Sequence, residues 1–173
     1  MFRGSSFHSI DAKGRIIIPT RFREVINGAD KTGSDKIGSE KTGSEKIGPD
    51  NGKSDNGAVM VSKMDRCLVV YTLKEWQNIE YRILSVAEKT EYMRRFRRIF
   101  IGGACECTAD KQGRILIPPP LRHYAGFEKD IVLVGVLDHF EIWSRINWDQ
   151  ENEQMEDDMK KEEVRLEISQ LVL

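Results

Sequence analysis

Two short runs of β-branched residues, each following the same turn, dominate the pattern of apolar and polar positions along the chain. Arg15–Ile18 and Arg114–Ile117 both follow an Asp-x-x-Gly sequence. In such a turn the aspartate can accept backbone N–H groups and the glycine can adopt a positive φ. Each run therefore predicts a strand, and the upstream arms, Phe7–Ile10 and Glu106–Ala109, are expected to be the hairpin partners of these strands.

A short helix is predicted after each strand. Proline stands where a helix can begin, at Pro19 and from Pro118 to Pro120, because its missing N–H is harmless in the first turn. The apolar residues that follow have the i, i+3, i+4 spacing of one buried face: Phe22, Val25 and Ile26, then Leu121, Tyr124 and Ala125. Asn27 and Gly126 tolerate the left-handed conformation that ends helices.

These segments form an internal repeat. Asp11–Pro19 recurs as Asp110–Pro118 at an offset of 99 residues. Two further strands are predicted in each copy and match at an offset of 72: Val59–Val61 with Cys67–Tyr71, and Ile131–Val136 with Phe140–Trp143. One copy, of about 45 residues, is too small to bury a sufficient core alone. We therefore predict an α+β, mainly β fold, in which two hairpin–helix–hairpin units share one barrel about a pseudo-two-fold axis.

An insertion interrupts the first copy. Residues 27–58 stand where the second copy has only residues 126–130, which accounts for the 27-residue difference between the offsets. Lysine and glycine recur every five residues within it, and few of its side chains can be buried. A segment of this composition is expected to be disordered.

The repeat also predicts the domain organisation. The first unit is expected at residues 5–76, connecting helices at 77–103, the second unit at 104–148 and an acidic tail at 149–173. Helical spacing of apolar residues begins slightly earlier, from residue 73. It involves Trp76, Ile79, Ile83 and Ala87, then Tyr92, Phe96 and Ile99, before Gly102 and Gly103 end the second helix.

The net charge of −1 hides an uneven distribution. Residues 149–163 hold eight acids against two bases, whereas the first 26 residues hold five bases against two acids. A total near zero therefore does not exclude a nucleic-acid partner. No apolar run reaches about 18 residues and no secretory signal pattern is present, so we expect a cytoplasmic protein without membrane contact.

Signals of catalysis and of metal binding are weak. The three histidines stand in unrelated contexts, common catalytic motifs are absent, and Asp11 and Asp110 look like turn residues rather than an acid–base pair. Cys105 and Cys107 lack the second cysteine pair typical of a zinc site, so we expect them to be buried or half-buried strand thiols. We predict no enzyme activity, cofactor, metal or small-molecule substrate.

The repeated turns carry the candidate chemistry. Bases gather at both turns: Lys13 and Arg15 beside Gly14, and Lys111 and Arg114 beside Gly113. Lysine and arginine on a projecting turn can contact phosphates, and arginine can bind guanine bidentately. Alternatively, each aspartate–arginine pair only braces its own turn, or the aspartate orients the arginine for binding.

Four further arginines lie on the second connecting helix. They are Arg94, Arg95, Arg97 and Arg98. At helical spacing they cannot share one face, so we expect a solvated or subunit-facing surface rather than a DNA contact.

The motifs resemble those of the MraZ family. They comprise Met1–Gly4, His8–Arg15, Ile18 with Pro19, Arg23, Arg97–Ala104 and Asp110–Pro118. The resemblance runs from Met1 to about Trp148, without the insertion. It implies tandem SpoVT-AbrB-type units, a ring-shaped homo-oligomer, and nucleoid-associated binding to repeated double-stranded promoter elements upstream of the division and cell-wall gene cluster.

The resemblance also implies roles for individual residues. The D-x-x-x-R motif of the family falls on Asp11 with Arg15 and on Asp110 with Arg114. The residues expected to contact DNA are Arg3, Lys13, Gly14, Arg15, Lys111 and Arg114, whereas Asp11, Asp110 and Gly113 are expected to shape the turns. Because the second turn has Gln112 where the first has Lys13, we expect the first turn to dominate. An assembly protein that binds partner proteins, or an AbrB-type antitoxin, remains the alternative function.

Overall fold

The computed structural model describes residues 1–28, 57–86 and 90–171. The interior of the predicted insertion, residues 29–56, lies outside these ranges. The described chain is α+β and rich in antiparallel strands. Its strands are β1 (Phe2–Ser9), β2 (Arg15–Ile17), β3 (Ala58–Met64), β4 (Cys67–Thr72), β5 (Cys105–Thr108), β6 (Arg114–Leu116), β7 (Asp130–Leu137) and β8 (His139–Ser144). Its helices are α1 (Thr20–Ile26), α2 (Leu73–Ser85), α3 (Glu91–Phe100), α4 (Pro119–Tyr124), α5 (Arg145–Asp158) and α6 (Glu162–Ser169).

The strand order is symmetric between the two copies of the repeat. Among the described residues, one six-stranded sheet has the order β1-β7-β8-β4-β3-β5, and a second sheet consists of β2 and β6. Exchanging each strand with its repeat equivalent gives the same order in reverse. The register agrees, because Ile16 pairs with its equivalent Ile115, and Val69 with its equivalent Glu141. A pseudo-two-fold axis therefore passes through both of these pairs.

The predicted pairing of each upstream arm with the strand after its own turn is wrong. The arm Phe7–Ile10 belongs mostly to β1, which pairs along its whole length with β7 of the other copy. The arm Glu106–Ala109 belongs mostly to β5, which pairs with β3 of the other copy. Only the turns close locally, and β2 and β6 pair with each other. Alternating apolar residues identify a strand but not its partner, and here exchange between the copies supplies longer neighbours.

One core is built from both copies, but the sheets do not close into a barrel through backbone pairing of the described strands. Phe2, Phe22 and Phe140 pack together with ring centroids 5.0–5.4 Å apart, although they come from β1, α1 and β8. The buried cluster around them also includes Ile16, Ile18, Val59, Val61, Leu68, Val70, Ile115, Ile117, Leu121, Ile131, Leu133 and Ile142. Neither copy could bury these side chains alone.

The connecting helices cover the other face of the sheet. Trp76 on α2 is buried and stacks on Phe100 of α3, with ring centroids 5.4 Å apart. The predicted apolar face is correct for Trp76 and Phe96, which belong to this cluster. It is wrong for Tyr92 and Ile99, which are exposed, because α3 turns Phe96 and Phe100 inward instead.

Helix ends follow local chemistry with one departure from expectation. Thr72 and Ser144, which are equivalent in the repeat, cap α2 and α5 by accepting a backbone N–H three residues later. Asn27 has a φ of −79°, so it is not left-handed as predicted, and the following Gly28 adopts φ +75° instead.

Residue 149 lies inside α5, and α5 and α6 include most of the acidic tail. No helix among the described residues is long and apolar enough to span a bilayer.

Candidate functional site

The first turn is held by a network of hydrogen bonds around one carboxylate. Asp11 Oδ1 accepts the backbone N–H groups of Lys13 and Arg15, each at 2.9 Å. Asp11 Oδ2 accepts Arg15 Nε and Nη2, each at 2.7 Å. The backbone N–H of Gly14, at φ +82°, donates to the carbonyl of Asp11 at 2.8 Å. The aspartate thus both closes the turn and fixes the direction of the Arg15 side chain.

The second turn repeats this geometry. Asp110 Oδ1 accepts the backbone N–H groups of Gln112 and Arg114 at 2.9 and 3.0 Å. Its Oδ2 accepts Arg114 Nε at 2.8 Å and Nη2 at 2.7 Å, while Gly113 adopts φ +73°. Hydrogen bonds from the arginine side chain and the turn backbone lower the pKa of both aspartates, Asp11 and Asp110, to about 2. Both therefore remain ionised at physiological pH.

Each turn is also bonded to the strand of the other copy. Ile18 N donates to Gly113 O, and Ile117 N donates to Gly14 O, both at 2.9 Å. These bonds extend the β2–β6 pairing beyond both ends of the two strands. The two turns are consequently parts of one rigid unit, with a fixed spacing and orientation.

Two arginines that the sequence analysis did not assign to the site lie against the opposite turns. A Cβ built on Gly14 would stand 2.7 Å from Cζ of Arg122, and one built on Gly113 would stand 2.7 Å from Cδ and 2.9 Å from Cζ of Arg23. The Nε atoms of both arginines are buried and have no hydrogen-bond partner among the described residues. The glycines therefore leave room for a guanidinium from the other copy.

The repeat contained a signal for these arginines. Arg23 and Arg122 occupy equivalent positions at the offset of 99 residues. Local sequence assigns both to helices, and only the exchange of strands between the copies brings each of them to the far turn. Each turn thus combines three bases with one acid. The first group comprises Lys13, Arg15, Arg122 and Asp11, and the second Lys111, Arg114, Arg23 and Asp110.

The other predicted residues lie apart from this unit. Arg3 is exposed near the start of β1, eight residues before Asp11, which corresponds to about 26 Å of extended strand. On α3, Arg95 pairs with Glu91 at 2.6 Å, and Arg97 donates to the carbonyls of Ile83 and Val86. These contacts join α3 to the end of α2 and leave the α3 arginines outside the turn groups.

The cysteines follow the expectation only in part. Cys107 is buried, and its Sγ donates to the carbonyl of Leu116 at 3.4 Å. Cys105, expected to be at least half-buried, is exposed, although it shares a face of β5 with Cys107; it is the first residue of that strand. Burial raises the pKa of the Cys107 thiol to about 11. Within the described ranges, no three histidine, cysteine, aspartate or glutamate side chains group as metal ligands.

Comparison with known proteins identifies the family. The model of the MraZ protein family, whose description calls it antitoxin-like, matches residues 1–32 and 100–167. A transcriptional regulator MraZ from Desulforapulum autotrophicum is 53% identical over 173 residues, which cover 100% of both chains. The chain belongs to the MraZ family. A MraZ relative from Desulfosudis oleivorans is 46% identical over the same extent, so both alignments span the insertion and the acidic tail.

More distant MraZ relatives align over most of the chain. The transcriptional regulator MraZ from Syntrophobacter fumaroxidans is 38% identical over 148 residues, or 86% of this chain and 82% of the relative. The two segments of the MraZ family match contain both turns, β1, β2, β5 and β6. The matched segments therefore include every residue of the two turn groups.

Proposed function

We propose that the protein is a sequence-specific transcriptional regulator that binds double-stranded promoter DNA through its two repeated turns. The observation that carries this proposal is the pair of equivalent turns, each with an aspartate-oriented arginine, two further bases and a fixed position across the pseudo-two-fold axis. The relatives bear the name transcriptional regulator MraZ, which agrees with it.

The oriented arginines keep enough donors for recognition. A guanidinium has five N–H donors, and Asp11 uses one on Nε and one on Nη2 of Arg15. Three remain for a phosphate or for the O6 and N7 atoms of guanine. The Arg15 side chain is 31% exposed and that of Arg114 25%. The ion pairs therefore support the interpretation in which the aspartate orients the arginine for binding, rather than the one in which the arginine only stabilises its own turn.

Assembly into a ring would strengthen weak contacts. Our proposal includes a homo-oligomer of tandem SpoVT-AbrB-type units that presents several turn pairs to successive promoter elements upstream of the division and cell-wall genes. Linking several modest sites raises the overall affinity through effective concentration. The net charge of −1 does not oppose this proposal, because each turn group is locally basic while acids concentrate at residues 149–163.

Fluorescence anisotropy with labelled DNA tests the proposal. DNA from upstream of the gene that encodes this chain should bind more tightly than a scrambled duplex. The affinity should fall steeply with added salt, because binding releases counterions from the DNA. Arg15→Ala should weaken specific binding by about 1–3 kcal/mol, roughly 5- to 150-fold. Arg114→Ala should have a smaller effect, because Gln112 replaces the lysine beside it.

A matched control is available on α3. Arg95 forms an exposed i,i+4 ion pair with Glu91, so Arg95→Ala makes the same chemical change outside the turns and should leave binding unchanged. Equal affinity for both duplexes, or an Arg15→Ala variant that binds like the unmodified protein, would refute the proposal. A solution mass near the 19.9 kDa of one chain would refute the ring.

A further inference from the structure

Two exposed aliphatic side chains lie on the two-stranded β2–β6 sheet, which also carries one arginine of each turn group. On the β2–β6 ribbon, Ile16 and Ile115 are buried, whereas Ile17 is 54% exposed and Leu116 is 56% exposed. Single exposed apolar residues are ordinary on protein surfaces. These two differ because they are equivalent in the repeat and share one face of the ribbon.

The register defines that face. Arg15 pairs with Leu116, and Ile17 pairs with Arg114. Residues directly opposite in an antiparallel pair point to the same side, and alternate residues along a strand do so as well. The outer face of the ribbon therefore carries two arginines and two aliphatic side chains, placed diagonally about the axis through Ile16 and Ile115.

The charge around this face indicates what covers it. Both arginines belong to the turn groups, each of which holds three bases and one acid. An apolar pair framed by cations suits a polyanion that also exposes apolar groups. Duplex DNA has this combination in its major groove, where phosphates form the rims and the C5 methyl of thymine projects from the floor.

We propose that Ile17 and Leu116 contact thymine methyl groups in the major groove and thereby contribute to sequence discrimination. This inference rests on the proposed DNA-binding function. The major groove is wide enough for a two-stranded β-ribbon. Lysine and arginine contacts to phosphate carry no sequence information, whereas an aliphatic side chain gains contact only where a methyl group is present. The pseudo-two-fold axis presents Ile17 to one DNA strand and Leu116 to the other.

Replacing thymine by uracil tests the contact, because it removes the methyl group and retains base pairing. The upstream DNA is prepared in both forms, and anisotropy gives the affinity of the full chain for each. The unmodified protein should bind the uracil form about three- to tenfold more weakly. The double variant Ile17→Ala with Leu116→Ala should lose most of this difference, while its affinity for scrambled DNA and its salt dependence stay unchanged.

Matched controls separate this contact from general effects. Ile146 and Leu166 are 57% and 59% exposed on α5 and α6, so Ile146→Ala with Leu166→Ala should keep the full thymine preference. If the unmodified protein shows no thymine preference, the inference is wrong. It is also wrong if the double variant Ile17→Ala with Leu116→Ala (the ribbon variant) retains the full thymine preference.

Two further outcomes distinguish the alternatives. If the unmodified protein binds upstream and scrambled DNA equally, the proposed function itself fails. If the ribbon variant instead lowers the solution mass of the protein, the face covers a second copy of the chain, which overturns the inference while leaving specific DNA binding intact.

Discussion

The substitution Gly14→Ala tests the position of Arg122 against the first turn. Gly14 has φ +82°, and an added Cβ would stand 2.7 Å from Cζ of Arg122. Two costs therefore combine at this position. One is the left-handed backbone of a residue with a side chain, and the other is displacement of the guanidinium that comes from the other copy.

The two costs can be separated with a second glycine. Gly28 has φ +75°, and none of the described residues places an atom within 4 Å of an added Cβ, so Gly28→Ala measures the backbone cost, about 1–2 kcal/mol. At Gly14 the nearest atoms are the end of a flexible side chain, which can move away. We therefore expect an additional cost of about 1 kcal/mol, within the range of coupling energies between contacting residues.

Urea unfolding at a fixed protein concentration measures these terms. The free energy of unfolding is determined for Gly28→Ala, Gly14→Ala, Arg122→Ala and the double variant of Gly14 and Arg122. In the Arg122→Ala background, Gly14→Ala should cost no more than Gly28→Ala does alone. If Gly14→Ala costs the same in both backgrounds, then the guanidinium does not occupy the space over Gly14, and the proposed grouping of Arg122 with the first turn is refuted.

Two further predictions concern the shared core and pH. Phe2→Ala should lower the free energy of unfolding by about 3–5 kcal/mol because Phe2 packs against rings from both copies. Phe7 lies on the same strand, and its ring is 62% exposed, so Phe7→Ala should lower the free energy of unfolding by less than about 1 kcal/mol. If urea unfolding gives similar losses of stability for Phe2→Ala and Phe7→Ala, the exchanged pairing of β1 is contradicted. Burial of His139 opposes its protonation, but hydrogen bonds to Glu141 and Asp138 outweigh burial and raise the pKa of His139. The stabilising contribution of protonated His139 should be complete below about pH 6.5 and decline as pH rises through the raised pKa. The melting temperature of His139→Gln should therefore approach that of the unmodified protein as pH rises. A difference in melting temperature that does not change with pH would disprove this prediction.

Local features of the fold were predictable from sequence because they depend on neighbouring residues. The Asp11 turn requires an acceptor side chain and a glycine three residues later, and both are visible in the sequence. The helix after Pro19 likewise follows from local geometry. The same argument applies to the second copy, where the turn at Asp110 has matching hydrogen bonds.

Strand partners were not predictable in the same way. The alternating pattern of β1 shows one buried face but contains no information on which strand lies beside it. The repeat made two identical pairings available, within a copy or between copies. Pairing between copies gives β1 eight partner residues on β7, whereas the short strand β2 could offer only three. Longer pairing satisfies more backbone groups, which favours β7 over β2 as the partner of β1.

The exchange also changes how the two turns can differ. Their carboxylate–arginine distances agree within 0.1 Å, at 2.7 Å for Arg15 and 2.7–2.8 Å for Arg114. Each turn is also packed against an arginine of the opposite copy, so neither can be distorted without the other copy responding. Any unequal contribution of the two turns to the proposed DNA binding must therefore arise from side chains rather than geometry. Equivalent turn positions differ at two places, Ala12 against Lys111 and Lys13 against Gln112, so the double variant Lys111→Ala with Gln112→Lys should make the two turns contribute equally to the proposed DNA binding.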